Sequence, residues 1–125
     1  MHFYNDITEV VGNTPLIRLS SLTFENDPLI LGKAEFLNPG GSVKDRIALK
    51  MLEHAERMGL LKEGGTVVEP TSGNTGVGLA IASIIRGYKK IFVMPDKMSK
   101  EKEYLLRAYG SEVVWTPTAV SPDDP

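Results

Sequence analysis

Two short stretches, TVVEP (66–70) and KIFVMP (90–95), carry apolar residues at consecutive positions, and a segment long enough for a helix lies between them. A strand with one wet face alternates apolar and polar residues, whereas a strand covered on both faces has no reason to. The pattern therefore points to parallel strands in a layered α/β fold. LILGKAEF (29–36) and SEVVWT (111–116) are further β-favouring runs. Strands alternating with helices, joined by right-handed crossovers, predict an open wound parallel sheet of about four strands flanked by helices.

Three helical patterns fill the gaps. In the first, over 43–58, Ile47, Ala48, Met51, Leu52, Ala55 and Met58 fall on one face. Asp45, Arg46, Lys50, Glu53, Glu56 and Arg57 take the other. Ser42 is placed as its N-cap, Asp45 three residues on completes a capping box, and Gly59 ends the helix. The second, over 75–86, is apolar nearly all round and should be buried. Its small residues Gly76, Gly78, Ala80 and Ala82 suit close packing on a sheet, and Gly87 follows. The third, over 99–109, has Ser99 as cap, a charged outer run (Lys100, Glu101, Lys102, Glu103) and Gly110 as terminator.

With 125 residues, 42% hydrophobic and 24% charged, the composition is that of one soluble globular domain. A net charge of -2 offers nucleic acid or an acidic membrane nothing to bind. There is no cysteine, which removes disulfides and thiolate chemistry. His2 and His54 stand alone, so no metal site is expected. Trp115 and Tyr109 read as packing residues. Without a signal-like start or a membrane-length apolar run, a cytoplasmic protein is expected. Residues 1–125 read as a single α/β domain, with 117–125 as a loop leaving it, the front part of something longer.

In wound sheets, ligands sit beyond the carboxyl ends of the strands, where loops enter helices. One such loop, PTSGNTGVG (70–78), brings three hydroxyls (Thr71, Ser72, Thr75), the Asn74 amide and the flexible Gly73 to a helix N-terminus. Free N–H groups and the positive end of the helix dipole attract an anion there. The same residues also suit a plain N-cap. The glycine spacing matches neither a Walker A loop nor GxGxxG. The second loop is NPGGSVK (38–44), which puts Lys44 in the first turn of a helix. The dipole disfavours a cation there by about 0.3–1 kcal/mol. Lys44 is thus either an ordinary solvated side chain or an amine used by a ligand.

KAEFLNPGGSVKDR (33–46) together with EPTSGNTGVGLA (69–80) resembles the fold-type-II pyridoxal phosphate enzymes of the cysteine synthase and cystathionine β-synthase group. The resemblance starts at VGNTPLIRL (11–19) and covers nearly the whole chain. The stretch VMPDKMSKEKEYLLRAYGSEVVWTPT (93–118) is more similar to cystathionine β-synthases. It implies pyridoxal 5'-phosphate as cofactor and Lys44 as the amine that bonds to its aldehyde. It also implies Asn74 as hydrogen-bond partner of the ring hydroxyl oxygen, and Thr71, Ser72, Gly73 and Thr75 as the grip on the substrate's α-carboxylate. The implied reaction is β-replacement on serine or an O-activated serine. Homocysteine as incoming thiol would give cystathionine, and sulfide would give cysteine. A homodimer is implied. Haem is not expected, because no N-terminal Cys/His extension of the haem-binding kind is present. The family's phosphate-holding glycine loop has no counterpart in these residues. If they were the whole molecule, half a site and no turnover would be expected. A phosphate- or nucleotide-binding α/β module and a non-catalytic interaction piece are the competing readings.

Overall fold

The computed structural model describes residues 1–22, 24, 28–71 and 73–118. Its centre is a parallel sheet of three strands in the order β3 (Thr66–Pro70), β4 (Lys89–Pro95), β5 (Glu112–Thr116), which pairs Val68 with Ile91 and Phe92 with Val113. Three of the four expected runs therefore enter one parallel sheet. The fourth, 29–36, supplies only β2 (Leu31–Lys33), and it pairs antiparallel with β1 (Leu16–Arg18) in a separate ribbon. The count of about four strands is corrected to three for a local reason. The TPLIRL segment offers the 29–36 run a partner in the opposite direction.

All three α-helices form where the periodicity predicts: α1 Lys44–Arg57, α2 Asn74–Ile85 and α3 Lys100–Ala108. Each runs out into the expected glycine, with Gly59, Gly87 and Gly110 all near φ +70°, a conformation that costs a Cβ-bearing residue more. The N-terminal ends differ from expectation. The Ser42 hydroxyl accepts the Lys44 N–H at 3.1 Å. Asp45, however, reaches back to the Gly40 N–H rather than closing a capping box on Ser42. Ser99 stands at the N-cap of α3 without a side-chain cap bond.

Strand order and crossover hand put α2 and α3 on the same face of the sheet. The core is there: Phe92, Met94 and Val113 from the sheet, Val77, Leu79, Ala80 and Ala82 from α2, Leu106 from α3, and Ala48 and Leu52 from α1. By strand alternation and register, Val68, Ile91, Val93 and Val114 share the other face, where Val68 is 59% and Val114 40% exposed. Consecutive apolar strand residues thus mark two apolar faces, of which the described residues cover one.

The apolar face expected for α1 is only partly used. Ala48 and Leu52 are buried, while Ile47, Met51 and Met58 are exposed. Asp45, assigned to the wet face, is buried instead. The reason is that α1 packs on α2 through a narrow contact. A Cβ on Gly78 would lie 2.9 Å from Ala48 Cβ, 3.1 Å from Asp45 Cα and 3.2 Å from the Lys44 carbonyl oxygen. The small residues of α2 thus admit a helix as well as the sheet. At its far end α1 is tied down by Glu56, which accepts from Tyr88 Oη at 2.7 Å and from Arg86. The charged run of α3 is not wholly solvated either: Glu103 is buried and pairs with Arg107 at 2.9 Å and Lys100 at 3.3 Å. Lys100 lies over the Trp115 ring. Among the described residues, no helix is long and apolar enough to cross a membrane.

Gly78→Ala places a methyl against the Ala48 Cβ and two backbone atoms of α1, none of which can rotate away. It should lower stability by about 1–3 kcal/mol, read as a fall in denaturant midpoint.

Candidate functional site

Both suspect loops end at the α1–α2 contact. The packing of Gly78 on the Lys44 carbonyl and Asp45 Cα sets the first turn of α1 against the early turns of α2. Lys44 is at the first position of α1 and Asn74 at the first of α2. Lys44 is exposed, and its amine has no hydrogen bond or ion pair among the described residues. Asn74 is exposed and Thr75 half-buried, and neither has a side-chain partner among the described residues.

Thr71 has a definite job. It continues the ladder beyond β3, its N–H donating to the Val93 carbonyl at 3.1 Å. Its buried Oγ1 accepts the N–H of Gly76 at 3.2 Å and of Gly73 at 3.4 Å. The hydroxyl is thus a structural cap for α2, with its proton still free to be donated. Gly76 is small because a Cβ there would come within 2.5 Å of Thr71 Cγ2. A Cβ at Gly73 would meet nothing within 4 Å, and neither would one at Gly41, so both loops border open space. Ser72 lies outside the described residues.

A cleft of about 210 Å³ opens beside Gly73 and Asn74, walled by Val77, Leu105 and Leu106, with Glu101 and Lys102 at its rim. It lies on the α3 side of the α2 N-terminus, and Lys44 does not line it. Among the described residues, no group of three His, Asp or Glu could hold a metal ion. His2 stacks edge-on against Tyr4, and His54 meets only Arg57.

The residues that sequence reasoning missed hold the first loop in place. Arg46, assigned to the polar face of the first helix, forks onto Glu35 with Nε–Oε2 at 2.9 Å and Nη2–Oε1 at 2.8 Å. Nη2 also donates to the Gly12 carbonyl at 2.9 Å. Asn38, buried, accepts the Gly12 N–H at 2.8 Å and donates to Glu35 and to the Ser42 carbonyl at 3.0 Å. The GNTP turn and the Lys44 loop are therefore one hydrogen-bonded body. The only signal in the sequence was a cluster of polar residues inside an otherwise glycine-rich stretch.

The donor set fits pyridoxal phosphate in part. An unengaged amine, an unengaged amide and a helix N-terminus bordering open space suit an aldehyde, a ring oxygen and a carboxylate. No second glycine-rich loop follows to take the phosphate.

Residues 7–124 match the family described as pyridoxal-phosphate dependent enzymes, and the chain belongs to that family. Rat (Rattus norvegicus) cystathionine beta-synthase is 54% identical over 123 residues, 96% of this chain and 22% of that protein. A cysteine synthase of Staphylococcus aureus is 53% identical over 113 residues, 90% of this chain and 36% of that protein. Among solved structures, a hydrogen sulfide-producing enzyme from Fusobacterium nucleatum superposes with a TM-score of 0.84 at 44% identity, over 95% of this chain and 39% of that one. An O-acetylserine dependent cystathionine beta-synthase from Helicobacter pylori gives 0.81 at 37% identity, over 95% of this chain and 40% of that one. The chain thus spans between about a fifth and two fifths of the length of these relatives.

The Arg46 guanidinium holds the Glu35 carboxyl down to about 2 from its ordinary 4.5, against the opposing effect of burial and with help from Asn38 and Thr14. Since the folded value is the lower one, this network's contribution to stability is fully present above pH 4.5. It is lost as pH falls towards 2. Glu35→Gln should flatten that acid limb, measured as a smaller change in denaturant midpoint across the same range.

Proposed function

We propose that the protein carries out a pyridoxal phosphate-dependent β-replacement on serine or an O-activated serine, with homocysteine as the incoming thiol and cystathionine as product. The observation that carries this is the contact at Gly78, which brings the Lys44 turn and the hydroxyl-rich α2 N-terminus together. The matching of both loops to a cofactor-dependent family supports it. When bound, the cofactor supplies an aldehyde for an amine and a conjugated ring that accepts the electron pair left at Cα.

The chain's own residues then have separate tasks. Lys44 is the amine that would hold the cofactor by its aldehyde, and, when the substrate amine takes its place there, Lys44 would accept the Cα proton. The Thr71 proton, Ser72, Thr75 and the backbone at Gly73 bind the substrate carboxylate, aided by the α2 dipole. That grip turns the Cα–H bond to one direction, which is where orientation contributes to rate. Asn74 donates its amide to the cofactor's ring oxygen. In this reading residues 1–125 form one partial α/β domain, 117–125 lead out of it, and the phosphate is held by groups elsewhere in the protein. A homodimer and a cytoplasmic location are part of the same proposal.

Sulfide as acceptor, giving cysteine from O-acetylserine, is the second reading, favoured by the identity to the staphylococcal cysteine synthase.

Borohydride reduction of the cofactor-loaded full-length protein, followed by peptide mapping, should place the adduct on Lys44. An adduct elsewhere, or none, overturns the assignment. Lys44→Ala should lower turnover by about 10²–10⁴-fold. Product analysis with homocysteine and sulfide offered side by side decides the thiol: cystathionine supports the first reading and cysteine the second.

A further inference from the structure

The glycine turn before Lys44 is closed by a buried carboxylate that looks overqualified for the task. Asp45 is 3% exposed, and one of its oxygens, Oδ2, accepts the Gly40 N–H. The other, Oδ1, is buried and has no hydrogen-bond partner among the described residues. A neutral side chain could accept one N–H without burying a charge. Burial does push the Asp45 carboxyl up, with the Gly40 N–H opposing and the nearby Glu35 charge adding.

Space around the carboxylate is fully committed. A Cβ on Gly40 would lie 2.5 Å from Oδ1 and 3.0 Å from Oδ2, so the acid occupies the volume that any side chain at 40 would need. On the opposite side, the backbone of 44–45 is pressed on Gly78 of α2. Asn38 pins the Ser42 carbonyl, and the Ser42 hydroxyl accepts the Lys44 N–H. With Gly40 held as well, the chain from 40 to 44 is fastened at each end. A bond to a charged acceptor is shorter and stronger than a neutral one, which suits a turn that must not move.

We propose that Asp45 is a positioning residue for Lys44: its carboxylate locks the Gly40 turn, so that the neighbouring amine is presented at one place beside the N-terminus of α2. This rests on the reading of Lys44 as the cofactor-bonding amine. The role differs from that of Arg46, which fastens the same loop to the 12–14 turn and leaves Gly40 untouched.

The test is a double-mutant cycle on the full-length protein, with Gly40→Ala, Asp45→Ala and both together. The readout is the rate of covalent loading of Lys44 by pyridoxal phosphate, trapped by borohydride at timed intervals and quantified by peptide mapping. Gly40 does not have a positive φ, so its substitution acts through the carboxylate and not through backbone strain. Each single change should slow loading on the order of 10²-fold, the scale of a 1 Å misplacement. The pair should be no slower than Asp45→Ala alone, because the new methyl fits the vacated space. Asp45→Asn, which keeps an oxygen for Gly40 but gives up the charge, should load faster than Asp45→Ala and more slowly than the parent. If Asp45→Ala loses its far-ultraviolet circular dichroism, Gly40→Ala against Asp45→Asn decides alone. Parental loading in Gly40→Ala, or losses that simply multiply in the pair, would overturn the positioning role while leaving Lys44 assigned. Failure of the unsubstituted protein to form any Lys44 adduct would overturn both readings.

Discussion

The approach of α1 to α2 at Gly78 is the constraint on which the rest depends. Two helices come together there with no side chain between them, so that Lys44, Asp45 and Ala48 rest on a bare glycine backbone. Helices ordinarily pack 8–10 Å apart, according to the side chains at the contact. A glycine at the contact permits the close end of that range. Each of the two loops belongs to a different helix, and neither makes a site alone. One has an amine with no ion-pair partner among the described residues, and the other has hydroxyls at a helix N-terminus. The missing Cβ of residue 78 is what makes them neighbours.

A second device keeps that arrangement rigid. Arg46, Glu35, Asn38 and Asp45 form a polar frame behind the lysine turn, and among the described residues half of their bonds go to backbone groups of residues 12, 35, 40 and 42. Bidentate pairing of a guanidinium with a carboxylate specifies angle as well as distance. Glycines supply the tight path of the turn, and the polar frame removes the freedom that glycines would otherwise leave it. Lys44 itself stays free of ion pairs among the described residues, as an amine must if it is to react.

The unevenness of the sheet follows from its order. Because β3, β4 and β5 are laid down in one direction, both crossover helices fall on one face, and that face holds the core. The other presents Val68 and Val114 to solvent. Family membership extends over nearly the whole chain, which spans about a fifth of the length of its rat relative.

Much was legible in advance. The positions of α1, α2 and α3, their glycine stops, and the three parallel strands follow from periodicity and turn chemistry, which are local properties. The placing of 38–46 and 70–78 at the starts of α1 and α2 was legible as well, because glycines and hydroxyls mark helix starts. Three things were not. The 29–36 run is apolar enough for either sheet, and only the nearness of Leu16–Arg18 sends it into the antiparallel ribbon. Asp45 and Glu103 read as wet because charge predicts exposure on average, yet one is held by a backbone N–H and the other by two cations. Thr71 suited an anion grip and an N-cap equally in the sequence, and only the fold puts its Oγ1 on the Gly76 N–H.

By itself, then, the sequence determined the elements, their ends, and which two loops gather glycines, hydroxyls and an amine at helix starts, since these depend on neighbours within a few positions. Only the tertiary structure decided that the lysine turn and the hydroxyl loop meet, and that Asp45, Arg46 and Asn38 hold the turn still. Those contacts join residues far apart in the chain. They depend on a glycine in α2 lying opposite the first turn of α1, a coincidence in space that no window of sequence contains.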